Sequence, residues 1–230
     1  MKTICALLIA VLLLSCEKRH AQSGAVVTTE KKASATKAEM LRAEIDMAAG
    51  ELSIEGGGKD EVAAVFHTGA EDPVPNFKFD NTSFRARLVI DQRKSDSLTG
   101  ENRWELSLPN NLSTDLFVNM GAGEAKLRLG SLDLRNVSLS IGAGKVSADF
   151  LGIPKRDYDV KIRGGIGECE VILPREVGIR AEARGGIGSI DVQGLERRNG
   201  AYENSEFQNA KVKIRLDVQG GIGEIRIRTR

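Results

Sequence analysis

The segment GAGKVSADF at residues 142–150 decides how this chain of 230 residues folds, because close copies of it recur. After its second glycine, apolar and polar residues alternate, which is the period of a β-strand with one buried face. Other copies begin with glycine, a small or aliphatic residue and glycine, at 121–129, 165–173, 186–192 and 221–227, with a weaker copy at 48–54. The chain therefore contains an internal structural repeat.

The spacing of the repeat indicates a solenoid. The second glycines stand at positions 123, 144, 167, 188 and 223, which are 21, 23, 21 and 35 residues apart. A second alternating strand precedes each glycine pair, so each repeat supplies two short strands that can only bury their apolar faces by stacking on neighbours. We expect an all-β, single-domain β-solenoid with a period of about 22 residues. The polar insertion at 194–208 is either a functional loop or a segment packed over a coil edge.

The paired glycines are predicted to form the turns between the two strands of each coil. Glycine permits positive φ and close backbone approach, and these copies lack the full patterns of phosphate-binding loops. The predicted turn glycines are Gly121, Gly123, Gly142, Gly144, Gly165, Gly167, Gly186, Gly188, Gly221 and Gly223.

Stacking the copies in chain order gives an expected outward column. It reads Glu124, Lys145, Glu168, Ser189 and Glu224. Such a mixed-charge column is typical of a solvated face rather than an acidic catalytic cleft.

The N-terminus reads as a lipoprotein signal. Residues 1–15 combine Lys2 with an apolar run that is too short for a membrane span, and LLSC at 13–16 resembles a lipobox. We expect cleavage before Cys16 and acylation of this residue, including palmitate, although a secreted protein with an unmodified Cys16 is the alternative. Residues 16–40 are predicted to form a flexible tether, because they contain few large apolar residues.

Composition argues against nucleic acid and catalysis. The formal net charge is +1, which leaves no surplus of basic residues for a polyanion. Two histidines, His20 and His67, and three cysteines leave little material for a metal or catalytic centre, so we expect no catalytic residues, no metal and no cofactor. Cys169 is expected to be a small buried hydrophobic residue, and Trp104 a core residue rather than a sugar-stacking platform.

Residues 41–110 are predicted to form an N-terminal β section that caps the solenoid of residues 111–230. In sequence, GAGE, GAGK, GGIGE and GGIGS, followed by alternating aliphatic residues, resemble the bacterial toast-rack domain. That family is grouped with "putative adhesin", head-GIN and cell-wall-active-antibiotic-response domains. The resemblance covers about residues 41–230 and implies an envelope domain without established catalytic residues.

The function expected from these features is that of a non-enzymatic surface lipoprotein. Its solenoid would bind an envelope component, either protein or glycan, while the lipid holds it on the extracytoplasmic side of the inner or outer membrane of a bacterial cell envelope. The resemblance to antibiotic-response domains implies an alternative, in which the domain assists envelope-stress sensing.

Overall fold

The computed structural model describes residues 25–92 and 100–230. These residues form fifteen β-strands and one short 3-10 helix, while the predicted signal peptide and Cys16 lie outside them. The strands are β1 (Val26–Ser34), β2 (Met40–Gly56), β3 (Glu61–Gly69), β4 (Asn76–Asp80), β5 (Arg85–Asp91), β6 (Asn102–Leu108), β7 (Ser113–Arg128), β8 (Asp133–Asp149), β9 (Tyr158–Leu173), β10 (Gly178–Arg184), β11 (Ile187–Gln193), β12 (Glu196–Arg198), β13 (Ala201–Glu203), β14 (Lys213–Gln219) and β15 (Ile222–Thr229). The 3-10 helix, Ser205–Gln208, lies between β13 and β14.

The fold is an all-β solenoid of six stacked coils. Four coils are the long strands β2, β7, β8 and β9, each of which turns at its paired glycines or the equivalent positions, and two are the strand pairs β14/β15 and β10/β11. Equivalent arms of neighbouring coils pair in parallel and in register. The inward-facing aliphatic residues of both arms form one core cluster, in which Leu116, Leu127 and Val146 are at most 1% exposed.

The coils do not stack in chain order. β14 and β15 both pair with β9, and β10 and β11 lie beyond them at the end of the stack. The outward column is therefore Glu124, Lys145, Glu168, Glu224 and Ser189, so the expected order of its last two members was wrong. The sequence repeat shows which residues form a coil but not which coils are adjacent. The insertion before β14 is long enough to carry the chain back across one coil.

Residues 41–110 combine one coil with an end layer. β2 is a full coil, because it pairs with β7 along both arms, so the predicted boundary at 110 does not separate cap from solenoid. Beyond β2, one arm continues through β6 and β3 to β1, and the other through β5 to β4. Trp104 is fully buried there, with its ring edge-on to Phe66 at 5.5 Å, which confirms its assignment to the core.

The predicted tether is too long. Residues 26–34, within the expected flexible segment 16–40, form β1 and pair with β3 over nine positions. The side chains of β1 are mostly exposed, so the strand is held mainly by backbone hydrogen bonds to an available sheet edge. The composition of this segment correctly predicts that its side chains bury little apolar surface. It does not reveal that the edge of β3 is available for pairing.

The insertion at 194–208 packs over a coil edge. β13 pairs with β10, and Glu203 forms a 2.5 Å ion pair with Arg180. Asn204 accepts a hydrogen bond from the Ile179 N–H and donates one to the Val177 carbonyl oxygen. The packing interpretation of this segment is therefore the right one.

Among the described residues, no helix is both long and apolar enough to cross a membrane.

Candidate functional site

The glycine turns form a closely stacked corner between the two arms of the solenoid. Gly144 and Gly188 have φ values of 134° and 138°, which side chains rarely adopt. A Cβ at either position would overlap the carbonyl oxygen of the equivalent glycine in the adjacent coil, Gly123 or Gly223. At Gly121, Gly142, Gly165, Gly186 and Gly221 a Cβ would likewise overlap a carbonyl oxygen of the neighbouring coil, and Gly123, Gly167 and Gly223 share the positive φ.

One residue in each coil projects between the two glycine columns. The aligned positions are Ala49, Ala122, Ala143, Ile166, Ile222 and Ile187, in the order of the stack. The three isoleucines are 58%, 48% and 71% exposed. We name Ile166, Ile222 and Ile187 the isoleucine stripe. Neighbouring strands are spaced about 4.8 Å apart, so these side chains form a continuous apolar surface on the corner.

Charged groups border the isoleucine stripe on both arms. On one arm Asp217 accepts hydrogen bonds from Arg163, at 2.8 Å, and from Arg184, at 2.9 Å. On the other arm Glu168 and Glu224 are direct neighbours across β9 and β15. Lys145 lies 3.9 Å from Glu168, and Arg226 pairs with Glu224, which raises the pKa of the Arg226 guanidinium. The stripe is thus an aliphatic surface between one guanidinium-rich and one carboxylate-rich border.

The corner offers a surface rather than a pocket. A cavity of about 70 Å³ lies among the glycines of the coils formed by β9, β14/β15 and β10/β11. A single water needs roughly 10–15 Å³ of such space, so the cavity holds no more than a handful of waters. Ile166, Ile187 and Ile222 are among the residues that line this space, so any ligand at the corner would contact them.

A wider groove of about 440 Å³ runs across β3, β6, β2 and β7, and most of the charged side chains that line it are paired with one another. Arg128 lies 2.6 Å from Glu55, and Lys126 lies 3.2 Å from Glu124. Its lining contains no aromatic side chain on which a sugar ring could stack. This groove is therefore a weaker candidate than the isoleucine stripe.

Comparison with known families assigns this architecture. The family model of the N-terminal domain of toast_rack, DUF2154, matches residues 21–172. The chain belongs to the toast-rack family. No match was found among curated proteins.

One solved structure shares the fold over most of the chain. A "putative cell adhesion protein" from Clostridium sporogenes superposes with a TM-score of 0.80 and 23% identity, over 90% of this chain and 100% of that chain. A "putative adhesin" from Bacteroides fragilis covers 88% of this chain and 97% of its own, at 13% identity and a TM-score of 0.30, which is too low to support an argument.

The residues with reactive chemistry do not converge in the described part of this toast-rack protein. Cys169 is partly buried between Val146 and Ile225, and burial raises the pKa of its thiol to about 12. His67 Nδ1 lies 3.1 Å from the Thr28 hydroxyl, and its Nε2 lies 3.7 Å from Glu105. Residues 25–92 and 100–230 contain no cluster of histidine, cysteine and acidic side chains suited to a metal ion.

Sequence reasoning missed the isoleucine stripe, although its signal is present in the repeats. The copies at 121 and 142 read GAG, whereas those at 165, 186 and 221 read GIG. Alanine and isoleucine fit the same turn, so the substitution carries no structural requirement. The change from small to large at an exposed position is the feature that points to binding.

Proposed function

We propose that this toast-rack protein is a non-enzymatic, lipid-anchored protein of the cell envelope that binds another envelope protein through the isoleucine stripe. The observation that supports this role is the alignment of three exposed isoleucines on a backbone corner fixed by stacked glycines. Large aliphatic side chains held in a row on a rigid support are typical of an interaction surface. The fold shared with a "putative cell adhesion protein" fits a binding role.

The chemistry of the stripe favours a protein partner over a glycan or a lipid surface. Sugar rings stack on aromatic faces, and the stripe presents only aliphatic groups. An anionic lipid surface attracts clustered lysine and arginine that are free to bind it. Here Arg163 and Arg184 are both held by Asp217. Glu168 and Glu224 stand together on the other border. An apolar contact rimmed by both signs of charge matches the usual composition of protein interfaces.

A single substitution in the stripe tests this role. Ile222→Lys places a charge in the centre of the proposed contact, and we expect affinity for native envelope vesicles to fall at least about tenfold, because an isoleucine contact is worth about 1.5–3 kcal/mol. Ile153→Lys is the matched control, because Ile153 is 94% exposed in the loop between β8 and β9. Cosedimentation of purified protein with vesicles measures the affinity.

Treatment of the vesicles identifies the class of partner. Protease treatment before mixing should abolish cosedimentation, and glycosidase treatment should leave it unchanged. Equal binding by the Ile222→Lys and Ile153→Lys variants would rule out the stripe as the contact surface. Binding that survives protease but not glycosidase would assign the partner as a glycan and contradict the proposal.

The proposed anchor is the lipid on Cys16. One acyl chain binds a membrane only marginally, whereas the two or three chains of a bacterial lipoprotein hold it firmly. Cys16→Ala should therefore release the protein from membranes or stall the removal of residues 1–15. Membrane fractionation and intact mass of the processed chain measure both effects. A wild-type protein that is soluble without detergent contradicts the anchor.

A further inference from the structure

The last coil of the solenoid is covered on only one of its two arms. β11 pairs with β15 on one side and with no strand of residues 25–92 and 100–230 on the other. The β12–β13 hairpin covers only the other arm of the last coil, where Arg180 and Ala181 pair with Glu203 and Tyr202. The backbone groups along the outer edge of β11 are therefore available to another strand.

The hydrophobic core is also open at this edge. Ile190 on β11 is 40% exposed, whereas Ile225, its register partner one coil inward, is 4% exposed. Val192 is partly exposed, and its partner Ile227 is fully buried. In every inner coil the next strand covers the inward-facing side chains of this arm. No such strand covers Ile190 and Val192, so the core is open at this end.

The two end strands of this arm differ in their protection against strand addition. β11 carries a single charged side chain, Asp191, among exposed isoleucine, serine and glycine. β1, at the opposite end of the same arm, carries Glu30, Lys31 and Lys32. Charged residues on an edge strand, lysine above all, oppose pairing with another chain. The β1 edge is protected, and the β11 edge is not.

We infer that the β11 edge is a self-association surface at which a second copy of this chain adds its own β11 antiparallel across a two-fold axis. Registers centred on Ser189 or Ile190 place the two Asp191 carboxylates away from each other, so the one charge on the strand does not oppose pairing. The contact covers Ile190 and Val192 of both copies and closes at two subunits, since a two-fold interface uses the same patch twice. This inference goes beyond the function proposed above: the self-association surface shares only Ile187 with the isoleucine stripe and does not include Ile166 or Ile222.

Sedimentation equilibrium of the full chain in density-matched detergent tests the dimer. The wild-type protein and the Ile166→Lys variant should sediment at twice the monomer mass in the micromolar range. The Ile190→Lys variant should sediment as a monomer, with a urea midpoint close to wild type because the lysine can reach solvent from the open edge. A wild-type monomer at 100 µM, an open-ended series of larger species, or equal loss of the dimer in both variants would overturn the inference.

Cross-linking tests the site without disturbing the fold. Ser189 is exposed on β11, and Ser189→Cys should give a dimer with a short bismaleimide, whereas Ile166→Cys, which is exposed on an inner coil, should not. Cross-linking of both variants to the same extent contradicts pairing at β11. The Ile166→Lys variant alters the isoleucine stripe and leaves the β11 edge intact. Its sedimentation mass therefore tests this inference, and its binding to vesicles tests the proposed function.

Discussion

Two residue positions in each coil have opposite requirements. The second glycine must lack a side chain, because its φ is positive and its Cβ would meet the next coil. The residue just before it has room for a side chain, because it projects outward and is exposed in every coil except that of β2, where it is half-buried. Alanine and isoleucine both occupy that position, and isoleucine there forms the apolar surface that we propose for binding.

The glycine requirement predicts a graded loss of stability. Gly144→Val forces a β-branched residue into a backbone region it avoids, in a coil with neighbours on both sides, and should cost on the order of 1–3 kcal/mol or more. Gly188→Val should cost less, because the coil of β10/β11 is terminal and can move away. Lys145→Ala, on the exposed face beside Gly144, should change stability by no more than about 0.5 kcal/mol. Urea midpoints of the three variants give the ranking, and three equal midpoints would contradict it.

The Cys169 thiol should be unreactive in the folded protein. Burial raises its pKa to about 12, so at pH 8 the thiol is almost entirely protonated, and the thiolate is the species that reacts. Iodoacetamide should label Cys169 slowly in buffer and rapidly in urea, where its pKa returns to an ordinary value. Peptide mass spectrometry measures the labelled fraction. Equal labelling in buffer and in urea would show that the site is open.

At the scale of elements, the β12–β13 insertion holds the last coil in place. Asn204 bridges it to the start of β10 through the Ile179 N–H, at 2.9 Å, and the Val177 carbonyl oxygen, at 2.6 Å. The strand β13 contributes only two paired positions on β10, so these side-chain hydrogen bonds are a large share of the contact.

Removal of the Asn204 amide should loosen this element specifically. Asn204→Ala leaves partly buried backbone groups without partners, and we expect a loss of about 1–3 kcal/mol. Asn209→Ala is the matched control, because Asn209 is an exposed residue at the C-terminal end of the 3-10 helix in the same insertion. Hydrogen exchange should accelerate in β10 and β13 of the Asn204→Ala variant and remain slow in β7 and β8. Uniform acceleration across all coils would show that the insertion does not act locally.

At the scale of the whole molecule, the sequence predicts coils well and their arrangement poorly. Alternation marks Leu127, Val146 and Ile227 as core residues, and they are buried, because a coil's pattern is local. The order of the last two coils is not local, since both carry a glycine pair followed by aliphatic residues. Strand β1 was missed for a related reason: its partner is an edge formed by residues far away in the chain.

The stack order determines which isoleucines are neighbours, so the proposed binding surface depends on it. The stripe runs Ile166, Ile222 and Ile187 only because β15 lies between β9 and β11. In chain order Ile187 would adjoin Ile166 instead, and Ile222 would lie at the end of the solenoid.

Disulfide formation between paired cysteine substitutions measures this order directly. Positions 168 and 224 are register partners on adjacent strands, about 4.8 Å apart, which is within disulfide range. Positions 168 and 189 are two coils apart, at roughly 9.6 Å by the same spacing, which is beyond it. After mild oxidation of the full chain, peptide mapping should find the cross-link in Glu168→Cys with Glu224→Cys and none in Glu168→Cys with Ser189→Cys. A cross-link in the second pair and none in the first would contradict the inserted coil and the stripe built on it.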